Sequence, residues 1–264
     1  MFAPLLQFVP VFVLVVFRLA GMMLYAPLFG SARIPKRVRV LLVLITAIGI
    51  TGSVKAPATL PQTPWDLALG IGGELLFGLA MGMVMSFVFI ATQWAGEIIG
   101  QQMGFNLSEV FDPQFGAQGS LIGDLYFMLT TVIFLVVGGH RAMLIGVYQS
   151  FQYLPLLSLG IDHSLFHLLI SLFSAATILA VRLAAPVLVT MLVVDLVLGL
   201  IGKTMPQMNV MAAALNIRSA IGIIVVVFGL TLTVSVMRNA VVQSMVDIWS
   251  GWTTPHVSAA LRPE

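Results

Sequence analysis

Cysteine is missing from all 264 residues, which excludes a disulfide framework, a thiolate metal site and a cysteine nucleophile. Charge is nearly missing too. Asp, Glu, Lys and Arg make up 8% of the chain, against about 25% in soluble domains, so a water-facing surface cannot be assembled from it. A formal charge of +2 is too small to imply a nucleic-acid partner. There is no Gly-rich phosphate loop and no GxSxG. The four histidines are His140, His163, His167 and His256. His163 and His167 stand at i, i+4, a spacing that suits metal ligands, but HSLFH has no Glu beside its first His and is not HExxH. The pair is expected to be interfacial, near a helix start. With no catalytic constellation and no metal set, the chain is expected to be non-enzymatic and free of cofactors.

What is abundant is apolar: 59% of residues are hydrophobic, with 17 Phe, 15 Met and 24 Gly. This points to a single all-α unit embedded in a membrane. Apolar runs occur at Val9–Phe29, Val38–Ile50, Leu67–Ile99, Leu121–Val137, Leu165–Leu200 and Ile217–Val236. Roughly 20 apolar residues cross a bilayer, so the second run is short and the third and fifth are too long for one span. Pro186 is expected to kink or divide the fifth. Pro155 marks a turn, Pro206 opens the connection Lys203–Leu215, and the tail after Trp249 is polar and expected to be mobile. Met205, Met208 and Met211 are expected to pack. The apolar start continues to Phe29 with no basic residue before Arg18, which argues against a cleaved secretory signal. Arg33, Lys36, Arg37 and Arg39 mark a cytoplasmic loop by the positive-inside rule. Simple alternation from that loop fits the charge pattern only in its first third.

Five ionisable residues interrupt the apolar runs: Arg18, Glu74, Glu97, Arg182 and Asp195. A charge at the bilayer centre costs about 2.5–3.5 kcal/mol on the mildest scale, so each should face protein or water. Two bases and three acids permit interhelical pairs, and Glu74, Glu97 or Asp195 of this chain or of another can serve Arg18 and Arg182. A proton relay is the alternative use of such residues. Two stripes of small residues lie beside two of the acids. Gly78 and Gly82 share a helix face with Glu74, and Gly96, Gly100 and Gly104 repeat the four-residue step, a spacing that lets helix backbones approach.

The segment Met103–Ser120, MGFNLSEVFDPQFGAQGS, is too polar for lipid and too apolar for a solvent loop. Long loops of this kind are commonly functional or disordered, and irregular backbone at membrane depth must be covered by protein or line a water-filled cavity. A plug or constriction of a pore meets both conditions, and an ordinary interhelical loop is the plainer reading.

Six stretches, in order, resemble the FliR family, the R subunit of the flagellar and type III secretion export gate. They are RLAGMMLYAPLFGSARIPKRVRV at 18–40, GEIIGQQMGF at 96–105, FDP at 111–113, GGH at 138–140, SFQYLP at 150–155 and GLIGKTMPQMNV at 199–210. Met205 departs from the smaller residue expected before Pro206. The resemblance implies kinked helical hairpins, with a P-like part over about 1–164 joined to a Q-like hairpin over about 165–246 and a tail at 247–264. It implies assembly with P and Q subunits (FliP, FliQ) into a conical channel for unfolded export substrates in the bacterial inner membrane, at the flagellar basal body. The B switch protein (FlhB), the A export protein (FlhA) and membrane lipid are further implied partners. A plug loop maps onto Phe105–Ser120: Phe105, Phe111 and Phe115 would seal the lumen, and Asn106, Asp112 and Pro113 would shape the turn. Arg18, Glu74, Glu97, Arg182 and Asp195 would pair across subunit joints. The rival reading is a proton-coupled small-solute transporter, but no internal symmetry of the kind such permeases carry is visible.

Overall fold

The computed structural model describes residues 3–30, 34–55, 57, 63–105, 120–157, 163–204 and 210–250. They form seven α-helices and, among the described residues, no strand: α1 Ala3–Tyr25, α2 Lys36–Thr51, α3 Pro64–Met103, α4 Leu121–Val137, α5 Gly139–Tyr153, α6 His163–Thr204 and α7 Val210–Ser250. Four helices are long and apolar enough to cross a membrane, or five spans if the bent pair α4 and α5 counts as one. The two helices of that pair are parted at Gly138, whose φ of 81° is open to glycine at little cost. The chain is an all-α membrane protein.

Three helices exceed what a bilayer requires. α3, α6 and α7 have 40, 42 and 41 residues, about 60 Å of axis each at 1.5 Å per residue, twice the roughly 30 Å hydrocarbon layer. Of the kink or division expected at Pro186, the division does not occur; α6 is helical from His163 to Thr204. A proline removes one N–H and crowds one carbonyl, a cost that a long packed helix can absorb. Threonines return their hydroxyls to the carbonyl four residues back, as Thr130 of α4 does to Tyr126 and Thr190 of α6 to Pro186, both at 2.8 Å, so few polar groups are left open in apolar surroundings.

Two compact units emerge, each assembled from separated stretches. One comprises residues 1–87, 137–172 and 241–264, the other 88–136 and 173–240. In the first, α1 crosses α3 through small residues: a Cβ added to Gly82 would lie 2.6 Å from the Met22 carbonyl, and one added to Gly78 would overlap the Arg18 carbonyl. The Ser86 hydroxyl donates to the Tyr25 carbonyl across the same crossing. α2 packs on α1 and buries only Val43, Ala47 and Thr51, one residue per turn. α5 buries Gly139, Met143, Gly146, Val147 and Ser150, a helical stripe within a mixed polar and apolar sequence. No apolar run signalled this helix, because only one of its faces is apolar.

In the second unit Phe89 meets Phe127 and Phe134 edge-on at 5.6 Å, and Trp94 meets Phe173 at 5.8 Å. α6 buries a single stripe, Ala176, Ala180, Leu183, Ala184, Val187, Met191, Val194 and Leu198, at three- and four-residue steps with Leu183 and Ala184 side by side. Only 28% of its apolar window and 22% of that of α7 are buried within the chain. Their outward faces therefore need lipid or another protein to cover them.

Candidate functional site

Two constructions stand out: a buried polar knot in the first unit and the stem of a loop in the second.

The knot joins α1, α3 and α5. Arg18 and Glu74 are 0% and 1% exposed and form an ion pair through Arg18 Nε and Glu74 Oε2. Arg18 Nη1 also donates to Ser150 Oγ at 3.2 Å and to the Leu154 carbonyl at 3.3 Å. Glu74 Oε1 accepts the Leu157 N–H at 3.0 Å. The guanidinium lies over the rings of Phe77 and Phe151, at 4.8 and 4.4 Å from their centroids. Nη2 makes no hydrogen bond, and the two ring faces offset part of that loss. Leu157 is held with φ at 68°, a left-handed conformation that branched side chains rarely adopt. Its side chain reaches α3 at Gly70, one turn before Glu74. The knot thus fixes the chain beyond α5 by charge and by shape.

Arg18 and Glu74 therefore take each other as partners within the chain, where pairing across subunits was the expectation from resemblance. Asp195 pairs instead with Arg218 at 2.6 Å, both side chains about two-fifths exposed; Asp195 Oδ1 lies outside hydrogen-bond geometry, and an exposed pair of this kind contributes about 0–1 kcal/mol. Glu97 is half-buried and accepts a hydrogen bond from Gln93 Nε2 at 3.3 Å. Arg182 is exposed on α6.

The stem is the pair of helix ends from which the candidate plug departs. α3 stops at Gly104, whose φ is 82°. The Phe105 N–H bonds the Gly100 carbonyl at 3.0 Å and the Gly104 N–H bonds the Gln101 carbonyl at 3.1 Å, the paired pattern of a Schellman stop. The Met103 carbonyl takes a further bond from Ser219 Oγ of α7 at 2.9 Å. Gly104, read from the spacing as part of a packing stripe, is the helix stop instead. On the other side Ser120 caps α4. Its carbonyl accepts the Asp124 N–H at 2.8 Å, and its hydroxyl accepts the Gly123 N–H at 3.4 Å and donates to the Gly96 carbonyl at 3.3 Å. The backbones meet at Gly96, where an added Cβ would lie 2.5 Å from Gly123 Cα. Gly100 is buried on the same helix. Phe105 is half-buried at the stem; Asn106, Phe111, Asp112, Pro113 and Phe115 lie outside the described residues.

Sequence reading missed Ser120, Ser150, Ser219, Phe77, Phe151 and Arg218. Serines carry no distinctive signal in an apolar helix, and Arg218 sits at the edge of a run, where a charge looks interfacial. His163 stands at the first position of α6 and His167 one turn on. Because Ser120 both caps α4 and ties it to α3, Ser120→Ala is expected to lower stability by about 0.5–2 kcal/mol. A fall in the thermal midpoint of the purified protein in detergent checks this, and an unchanged midpoint would remove Ser120 from the stem.

Fold and site together define an all-helical membrane protein with a charged knot inside one unit and a pinned loop stem in the other. The chain belongs to the bacterial export proteins, family 1, whose model matches residues 9–244. It is 32% identical over 234 residues to the flagellar biosynthetic protein FliR of Bacillus subtilis, covering 87% of this chain and 90% of that protein. It is 28% identical to FliR of Aquifex aeolicus, with 88% and 90% covered, and 28% identical to the surface presentation of antigens protein SpaR of Shigella flexneri, with 80% and 82% covered. The six stretches that resembled the FliR family begin at Arg18 and end at Val210, all inside the matched region.

Proposed function

We propose that this chain is a non-enzymatic subunit of a flagellar type III protein export gate, building with P and Q subunits the channel for unfolded substrates. The observation that carries the reading is the family match across residues 9–244. The outward apolar faces of α6 and α7 support it, since assembly would cover them. The pinned stem supports a plug at 105–120: a loop that seals a pore needs fixed ends. Asn106, Phe111, Asp112, Pro113 and Phe115 are its proposed working residues, with Phe105 at its root. FlhB and FlhA are proposed neighbours, the P-like and Q-like parts meet near residue 164, and the inner membrane at the flagellar basal body is the proposed location.

The test is co-expression with the P and Q genes of the same operon, purification in detergent and mass measurement of the assembly. One complex containing all three is expected; a chain that stays monodisperse alone would sink the reading. In the same assembly, replacing 106–119 by a short Gly/Ser linker is expected to leave P and Q attached and to raise ion conductance in planar bilayers severalfold. Conductance equal to that of the parent would remove the plug.

A further inference from the structure

Arg182 lies well inside the apolar stretch Ile170–Thr204 of α6. It is exposed, and among the described residues it makes no hydrogen bond or ion pair. The sole acid on α6, Asp195, is taken by Arg218. Its neighbours on the helix surface are apolar and turned outward: Ile178 and Val181 before it, Val189 and Val193 after it, each half exposed or more. A backbone group without its usual helical partner accompanies the charge. Pro186, four residues on and also exposed, has no N–H to return to the Arg182 carbonyl. One outward patch thus offers a cation and a backbone carbonyl without its i+4 N–H, both costly in hydrocarbon.

We propose that the Arg182 side of α6 docks an apolar helix of a neighbouring gate subunit that carries a carboxylate within its own apolar stretch. A hydroxyl or amide donor about one turn from that carboxylate would meet the Arg182 carbonyl. Charge complementarity selects the carboxylate, and the planar guanidinium favours a two-pronged contact with it. A lipid phosphodiester answers the guanidinium but brings no N–H or O–H for the carbonyl, so a protein helix fits both groups where a diester fits one. This surface rests on the export-gate reading and names the chemistry of one joint in it.

The experiment places a photo-crosslinking amino acid at Ile178 or Val189, with Arg182 intact, in the chain expressed with its full operon. Adducts formed in native membranes are identified by mass spectrometry. The expected adduct is an apolar helix of another gate subunit bearing Asp or Glu. R182E should reduce it about tenfold or more, the scale of breaking a buried pair, and R182K should reduce it less. Phospholipid adducts alone, an adducted helix without a carboxylate, or a protein adduct undiminished in R182E would overturn the proposal. A carboxylate-bearing helix from a protein outside the export apparatus would uphold the docking surface and overturn the gate reading.

Discussion

Replacing Arg18 by Met is expected to lower the yield of folded protein severely, and adding Glu74→Gln to that variant is expected to restore most of it. Arg18 and Glu74 are almost wholly buried. Removing one partner leaves an uncompensated charge in a low-dielectric interior, a loss of about 3–5 kcal/mol, against a total stability of roughly 5–15 kcal/mol for a typical domain. Removing both charges eliminates the burial cost along with the attraction, and such replacements are often near neutral. Gln is the better second change because its carbonyl still accepts the Leu157 N–H that Glu74 now holds; Glu74→Leu would leave that donor open, at about 1–3 kcal/mol. Size-exclusion yield and thermal midpoint of the parent, Arg18→Met, Glu74→Gln and the double variant in detergent decide the matter. A single Arg18→Met variant as stable as the parent would show that the knot contributes nothing. A proton-relay role predicts the reverse order, with assembly intact and transport lost.

Gly78→Ala and Gly72→Ala, two changes on one helix, are expected to move stability in opposite directions. At Gly72 an added Cβ meets nothing within 4 Å, and Ala is favoured over Gly in a helix by about 1 kcal/mol. At Gly78 the added carbon falls on the Arg18 carbonyl, with the Met22 amide close behind at 2.9 Å. Those atoms belong to a packed helix backbone and cannot swing aside, so α1 must move off α3. Overpacking of this kind costs about 1–3 kcal/mol, and the displacement also pulls Arg18 away from Glu74, one turn from Gly78. The difference between the two thermal midpoints is the measurement. Shifts of the same sign would mean that the close crossing is not a stability determinant.

The arrangement of elements was partly legible. Five apolar runs lie over α1, α2, α4, α6 and α7 and one lies inside α3, because a helix that faces lipid or apolar protein must be apolar along its length. The amphipathic α5 escaped, since its single buried stripe reads as ordinary mixed sequence. Pro186 does not divide α6: a local rule about one missing hydrogen bond does not weigh the packing along the rest of the helix. Gly104 was misread as packing because a glycine at four-residue spacing looks the same whether the helix continues or stops; only its positive φ tells them apart.

By itself the sequence determined the class of the molecule, its helical content, the family through six ordered stretches, and the short set of charges that had to be explained. Those properties depend on residues taken singly or a few positions apart. Which charge meets which was left to the tertiary structure: Arg18 with Glu74, 56 residues away, and with Ser150, 132 residues away, Asp195 with Arg218, and Arg182 with no partner in its own described chain. Pairing energy depends on distances a few ångströms wide in three dimensions, and those around Arg18 exist only after the close approach at Gly78 and the left-handed turn at Leu157 have set its helices in place.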